Sequence, residues 1–296
     1  MTTTVDVSTN RRSVVGVFRN DRAHWVGDGF HVRQVIPGPG DVTAWTNPFI
    51  MFDYNPPEYF APTTSRRGVG VHPHRGFETV TIAFDGAVEH RDSSGGGGVI
   101  HPGDVQWMTA AGGVLHDEFH AESFSRAGGM FHMAQLWVNL PAANKMDPPK
   151  YQAISARQIN EVALGGGGTV RVIAGQFGDA VGPASTFTPI NLWEVRLPSG
   201  AHLDTSFAAT DNVAVFVMEG QADVNGASAM PGDLVVLDHD GMAVTVSAAG
   251  DGVRLLVLNG EPINEPMVSY GPFVMNTREQ IVEAIEDFNA GKFGTL

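Results

Sequence analysis

Two short triplets, His72-Pro73-His74 and His116-Asp117-Glu118, carry the residue types and spacing of a metal site. Each is a ligand-x-ligand pattern. On an extended strand alternate side chains share a face, so His72 and His74 project together about 6–7 Å apart, and so do His116 and Glu118. Asp117 points the other way and reads as structural. If two such strands meet inside a barrel, two or three imidazoles and a carboxylate converge on one point, the donor set of a mononuclear metal centre. Glu78 lies four residues after His74, an even spacing that turns it toward the same face.

Neutral imidazoles with one carboxylate suit a borderline divalent ion and leave coordination positions open, unlike a closed structural zinc site. The chain has no cysteine, which excludes disulfides, iron–sulfur clusters, thiolate zinc and cysteine nucleophiles and agrees with a cytoplasmic setting. A net charge of −14 disfavours direct binding to a phosphate backbone, and Arg66-Arg67 reads as a solvated loop. No apolar run is long enough for a membrane helix, and the polar stretch 1–10 lacks the apolar core of a secretory signal.

The elements that must position these residues are strands. Segments 79–84 (TVTIAF) and 213–218 (VAVFVM) are bounded by Gly, Pro, Asn and Asp, and many short strands at close spacing predict an antiparallel sandwich or barrel. An internal repeat sharpens this. Phe84-Asp85-Gly86 followed by Pro102-Gly103-Asp104-Val105 is matched by Met218-Glu219-Gly220 followed by Pro231-Gly232-Asp233-Leu234. A duplicated β-barrel explains both copies, with a boundary where Pro141, Pro148 and Pro149 interrupt the pattern, giving domains 1–145 and 146–296. Aligning the copies sets Ser206, Ala208 and Asn212 opposite His72, His74 and Glu78, and Thr245 and Ser247 opposite His116 and Glu118. His202 and His239 form no comparable set, so the metal belongs to the N-terminal copy. Glycine runs 95–98 and 165–168 read as flexible turns. One helix is expected near the C-terminus, capped at Asn276 with Glu279 three residues on, burying Ile281, Ile285 and Phe288 and ending at Gly291.

Long stretches of the chain resemble the pirins, a family of bicupins in the cupin superfamily. They are 70–81 (GVHPHRGFETVT), 102–110 (PGDVQWMTA), 135–140 (QLWVNL) and 271–276 (GPFVMN). The resemblance runs from about Ser13 to Gly294. It departs at Phe119-His120, where many relatives have Met-Pro, and at His101, where Arg or Asn is commoner. It implies an all-β fold of two stacked jelly-roll (cupin) barrels with a short C-terminal helix. It assigns the metal ligands to His72, His74, His116 and Glu118, with iron(II) the usual ion and manganese, nickel, copper or zinc as alternatives. With Glu118 in the fourth place, Glu78 is left to orient a histidine through its free ring nitrogen.

The activity the resemblance implies is that of quercetin 2,3-dioxygenase. Dioxygen opens a flavonol ring, carbon monoxide leaves, and Glu118 takes the 3-hydroxyl proton as general base. A second reading is a metal- or redox-dependent regulator that binds a transcription factor or a metabolic enzyme, and a third a cupin isomerase or hydrolase using the ion as Lewis acid. An open apolar pocket favours the enzyme, a plugged barrel the regulator. The default assembly is a monomer. Among the other histidines, His90 in 89–92 (EHRD) reads as an exposed charged turn. His120 lines the mouth or lies on the surface, and His132 faces the pocket or is a hydrogen-bonded core residue. Arg75 anchors a loop through a carboxylate, and Phe77, Met108, Met130, Met133 and Trp137 read as core.

Overall fold

A computed structural model describes residues 10–296, so most of the polar opening stretch lies outside the described residues. Antiparallel strands dominate, as the short alternating segments require. The chain forms two compact units, each assembled from three segments. One comprises Arg22–Gln34, Pro48–Gln158 and Ile263–Leu296; the other comprises 10–21, Val35–Asn47 and Ile159–Pro262. Where the sequence pattern set one cut at 145/146, the units interleave, and the C-terminal helix belongs with the unit that holds the histidine triplets.

In the Ile159–Pro262 unit, the 213–218 segment lies within Asn212–Val224, flanked by Asp233–Leu237 and Ala243–Gly260. Val215, Val217, Val235, Val246, Leu255 and Val257 fill its interior, each at most 2% exposed. Burying each such side chain stabilises by about 1.5–3 kcal/mol, so this interior is a packed core. The positions aligned with the triplets carry no ligand set. Thr245 donates to Asp204, and Asn212 bonds Ala44, Asn47 and His239.

The unit with the triplets holds two large sheets and a two-stranded one, Val268–Tyr270 with Phe273–Met275. A seven-stranded sheet centres on Phe77–Asp85 and Gly129–Asn139, and a four-stranded sheet runs Gly68–His74, Val114–His120, Val88–Asp92, Gly97–Ile100. Phe77–Asp85 is buried at all but its last position, as expected of a strand covered on both faces. The turn between Gly68–His74 and Phe77–Asp85 is tightly held. Gly76 has φ +91°, and a Cβ there would sit 1.9 Å from the Val274 carbonyl oxygen, so only glycine fits. Arg75 donates to Asp287 of the helix at 2.9 Å, the carboxylate anchor expected of it.

The helix spans Arg278–Asn289. Its cap is Thr277 in a reciprocal box with Gln280, one residue beyond the expected Asn276–Glu279 pair. Gly291 follows the C-cap at φ +74°. Ile281 is buried and Ile285 packs beside it, while Phe288 is 38% exposed. Among the described residues no helix is long and apolar enough to cross a membrane.

Candidate metal centre

Strand register brings the triplets together. Val114–His120 pairs antiparallel with Gly68–His74 so that His116 faces His72 and Val114 faces His74, with an irregularity before Glu118. On its other side the same strand sets His116 against Asp92 and Glu118 against His90. Directly opposed residues have Cβ atoms about 4.5–5.5 Å apart, so register alone gathers five ionisable side chains, His72, His90, Asp92, His116 and Glu118.

Potential ligand atoms of His72, His74 and His116 lie within 4.8 Å of one another. Glu118 does not join that group. It belongs to a second one with His90 and His116, which shares the His116 ring. The four expected residues are therefore neighbours arranged as three imidazoles with a carboxylate alongside. Its oxygens accept from the Gln106 amide at 3.2 Å, the Gln135 amide at 2.8 Å and the Thr81 hydroxyl at 3.4 Å.

The imidazoles suit a metal ion on their own geometry. His72 Nδ1 lies 2.9 Å from the Gly70 carbonyl; that contact makes Nδ1 the protonated nitrogen and leaves Nε2 with its lone pair. His74 Nδ1 and His116 Nε2 are buried without a hydrogen-bond partner. A buried polar atom left so costs about 1–3 kcal/mol, a penalty that an ion would remove. Burial first, and neighbouring imidazoles second, hold His74 and His116 well below the ordinary histidine value, so both are neutral with lone pairs available.

His90 was missed by sequence reasoning. It is fully buried on strand Val88–Asp92, and its ring stacks on Tyr151 at 5.2 Å. Its Nε2 lies 3.2 Å from Asp92 Oδ2 and its Nδ1 lies 3.3 Å from His116 Nδ1. Burial works against the Asp92 carboxylate, but hydrogen bonds from His90, Ser94 and Gly96 outweigh it and bring its pKa down to about 2. An ionised Asp92 accepts a hydrogen bond from His90 Nε2–H, which leaves His90 Nδ1 to accept from His116 Nδ1–H. The free lone pair of His116 then sits on Nε2, the atom without a partner. A carboxylate–histidine pair thus fixes the tautomer of a candidate ligand. Gly96 has a steric reason to be glycine, since a Cβ there would lie 2.4 Å from Asp92 Oδ2. The signal for His90 was available: Val88, His90 and Asp92 alternate with Glu89 and Arg91 at strand period.

Glu78 accepts from the Thr109 hydroxyl at 2.7 Å rather than orienting a ring nitrogen. His120 is buried among Phe60, Phe124 and Phe131, with Nε2 2.8 Å from the Gly29 carbonyl, and lies neither at the metal-side mouth nor on the surface. His132 is the hydrogen-bonded core residue, 2.8 Å from the Tyr54 hydroxyl. Asp117 is structural, paired with Arg91. Met130 is 45% exposed and is not core.

Glu78 yields a pH test. Burial raises its carboxyl from 4.5 to about 7, against the opposing Thr109 bond. The folded state therefore holds this proton more tightly, and its stabilising effect is complete below the unfolded pKa. It is lost as pH rises from about 4.5 to 7, a range worth about 3 kcal/mol. Glu78→Gln should unfold at the wild-type temperature at pH 4 and at a higher one at pH 8, read by thermal melts across that range. Coincident melts at pH 8 would show that the Glu78 carboxylate carries no such penalty.

A cavity of about 340 Å³ opens onto His72, His74 and Glu118. Its walls include Phe30, Val32, Met133 and Trp137, with Asp53 and Gln135 as further polar groups. Small-molecule sites begin near 300 Å³ and are lined in this way. A second cavity of about 390 Å³ near Arg66, Arg91 and Arg126 holds none of the expected ligands.

Comparison with known proteins agrees with this picture. The family described as Pirin matches residues 29–138, and the Pirin C-terminal cupin domain matches 192–294. A Pseudomonas aeruginosa protein named provisionally as a quercetin 2,3-dioxygenase is 48% identical, over 95% of this chain and 98% of its own. Pirin-like protein 2 of Arabidopsis thaliana is 36% identical, over 90% and 81%. A crystal structure of quercetin 2,3-dioxygenase from Acinetobacter baumannii superposes with a TM-score of 0.92 at 48% identity, covering 96% of this chain and 99% of that one.

Proposed function

Because this chain belongs to the pirin family of two-domain cupin proteins, we propose that it is a metal-dependent dioxygenase of the quercetin 2,3-dioxygenase type. One flavonol and one dioxygen give one depside and one carbon monoxide. The observation that carries this reading is the apolar cavity opening onto the histidine–glutamate cluster. A closed, dry cluster would instead have favoured a regulator. The provisional names of the 48% identical relative and the 38% identical one point the same way.

A first-row divalent ion, iron(II) foremost with manganese, nickel, copper or zinc as alternatives, would be held by His72, His74, His116 and Glu118 and would supply Lewis acidity and open positions for the substrate's oxygens. Trp137, Met133 and Phe30 offer apolar faces to flat rings and exclude water. Glu118 is the one carboxylate within that cluster, and it accepts the 3-hydroxyl proton of the bound flavonol. Gln106 and Gln135 steady it through its two oxygens. Asp92 and His90 hold His116 from behind.

The test is anaerobic loading with iron(II), followed by quercetin and air, while flavonol absorbance and released carbon monoxide are followed. Wild type should turn over, whereas metal-free protein and His74→Ala should not. An absence of turnover at full occupancy with iron, manganese, nickel and copper would remove the flavonol reading and direct the search to protein partners.

A further inference from the structure

The cavity contains one carboxyl group that ring opening does not use. Asp53 sits on strand Phe49–Phe60 and lines the same space as His72, His74 and Glu118. Alternation turns Met51 and Asp53 to the cavity together. Its cross-strand neighbour is Gln135, the residue whose amide holds Glu118.

Asp53 Oδ1 is buried and has no hydrogen-bond partner. Burial raises the carboxyl to about 6, opposed only by the charge of His24. A core position has no reason to carry an acceptor without a donor, whereas a binding site waiting for a donor does. Gln135, across from it, gives its amide protons to Thr81 and Glu118 instead. A cationic ligand would answer the charge, but a divalent ion in the same cavity would repel it. A neutral hydroxyl suits both.

We propose that Asp53 is a second recognition point, accepting a hydrogen bond from a hydroxyl group of the aromatic substrate other than the one directed at the histidine–glutamate cluster. The substrate class is then a polyhydroxylated planar aromatic, with Asp53 selecting for the additional hydroxyl. This rests on the flavonol reading of the site.

The experiment compares quercetin with 3-hydroxyflavone, which lacks every hydroxyl but the one at position 3. Binding is measured without oxygen to metal-loaded protein, by quenching of tryptophan emission. Wild type should prefer quercetin by about 10- to 100-fold, the worth of one hydrogen bond to a charged group. In Asp53→Leu that ratio should fall to near one, and in Asp53→Asn, which keeps an acceptor and the shape, to an intermediate value. Metal content and melting temperature identify a variant that has merely misfolded, and Asp53→Asn then carries the test. An unchanged ratio in folded, metal-loaded variants would overturn the role of Asp53 and leave the flavonol reading standing. If wild type binds neither flavonol, that reading falls and this inference with it.

Discussion

Glu118→Gln should retain its metal and lose its turnover. Three imidazoles remain to hold the ion, and the amide preserves the length and shape of the carboxylate. What it cannot do is take a proton. Removing a positioned general base lowers rates by about 10²–10⁴-fold. The expected result is near-full metal content by elemental analysis at saturating metal, with kcat reduced by at least about 100-fold and flavonol binding measured without oxygen little changed. Full activity with metal retained would sink the base role. Loss of metal along with activity would make Glu118 chiefly a ligand. The carboxylate's neighbours sharpen the contrast. It accepts from amides at both oxygens, Gln106 on Oε1 and Gln135 on Oε2. A glutamine must turn its own NH₂ toward one of those donors, so some disorder of the side chain is expected beside the missing base.

The second large effect is on stability. Lys145 is 1% exposed, and its ammonium donates to the carbonyls of Gly76 and Val274 and to Asn139 Oδ1, at 2.7, 3.0 and 2.7 Å. These bonds tie the turn after His74 to the Ile263–Leu296 segment. In Lys145→Ala three buried acceptors lose a charged donor, at about 1–3 kcal/mol each before relaxation, so a loss of about 3–5 kcal/mol is expected. That is a large share of a typical domain's margin of about 5–15 kcal/mol. Urea unfolding should show a lower midpoint with an unchanged slope. Because Gly76 follows His74 by two positions, metal affinity should fall as well. A change under about 1 kcal/mol would mean that water replaces the ammonium at little cost.

The site was legible where strand period governs. His72, His74, His116 and Glu118 share parity within their strands, and register then sets His116 against His72. His90 escaped because Glu89, Arg91 and Asp92 around it look like a charged turn, although Arg91 and Glu89 are the outward half of an alternating strand. Asp53 had a fainter signal, one acid within an apolar run of six from Phe49 to Tyr54. Strand patterning cannot say which acid is stranded without a donor, since that depends on residues distant along the chain. The interleaving of the units was illegible for the same reason. A Pro-rich stretch marks where local pattern breaks, but not that the Arg75–Asp287 and Lys145–Val274 contacts bring a distant segment back. The repeat alignment put no imidazole pair in the second copy, while the aliphatic filling of that interior is visible only in the structure.

The order of these segments has a consequence for the protein's birth. Pro272, which lines the cavity, and Val274, which closes on Gly76, are translated after the whole of the Ile159–Pro262 stretch. When the ribosome has made both histidine triplets, the part of the wall that Pro272 supplies does not yet exist. The cavity is therefore completed only after the whole Ile159–Pro262 stretch has been made. A chain ending before Pro272 would carry both histidine triplets without the Pro272 side of the cavity and without the Val274 carbonyl against Gly76.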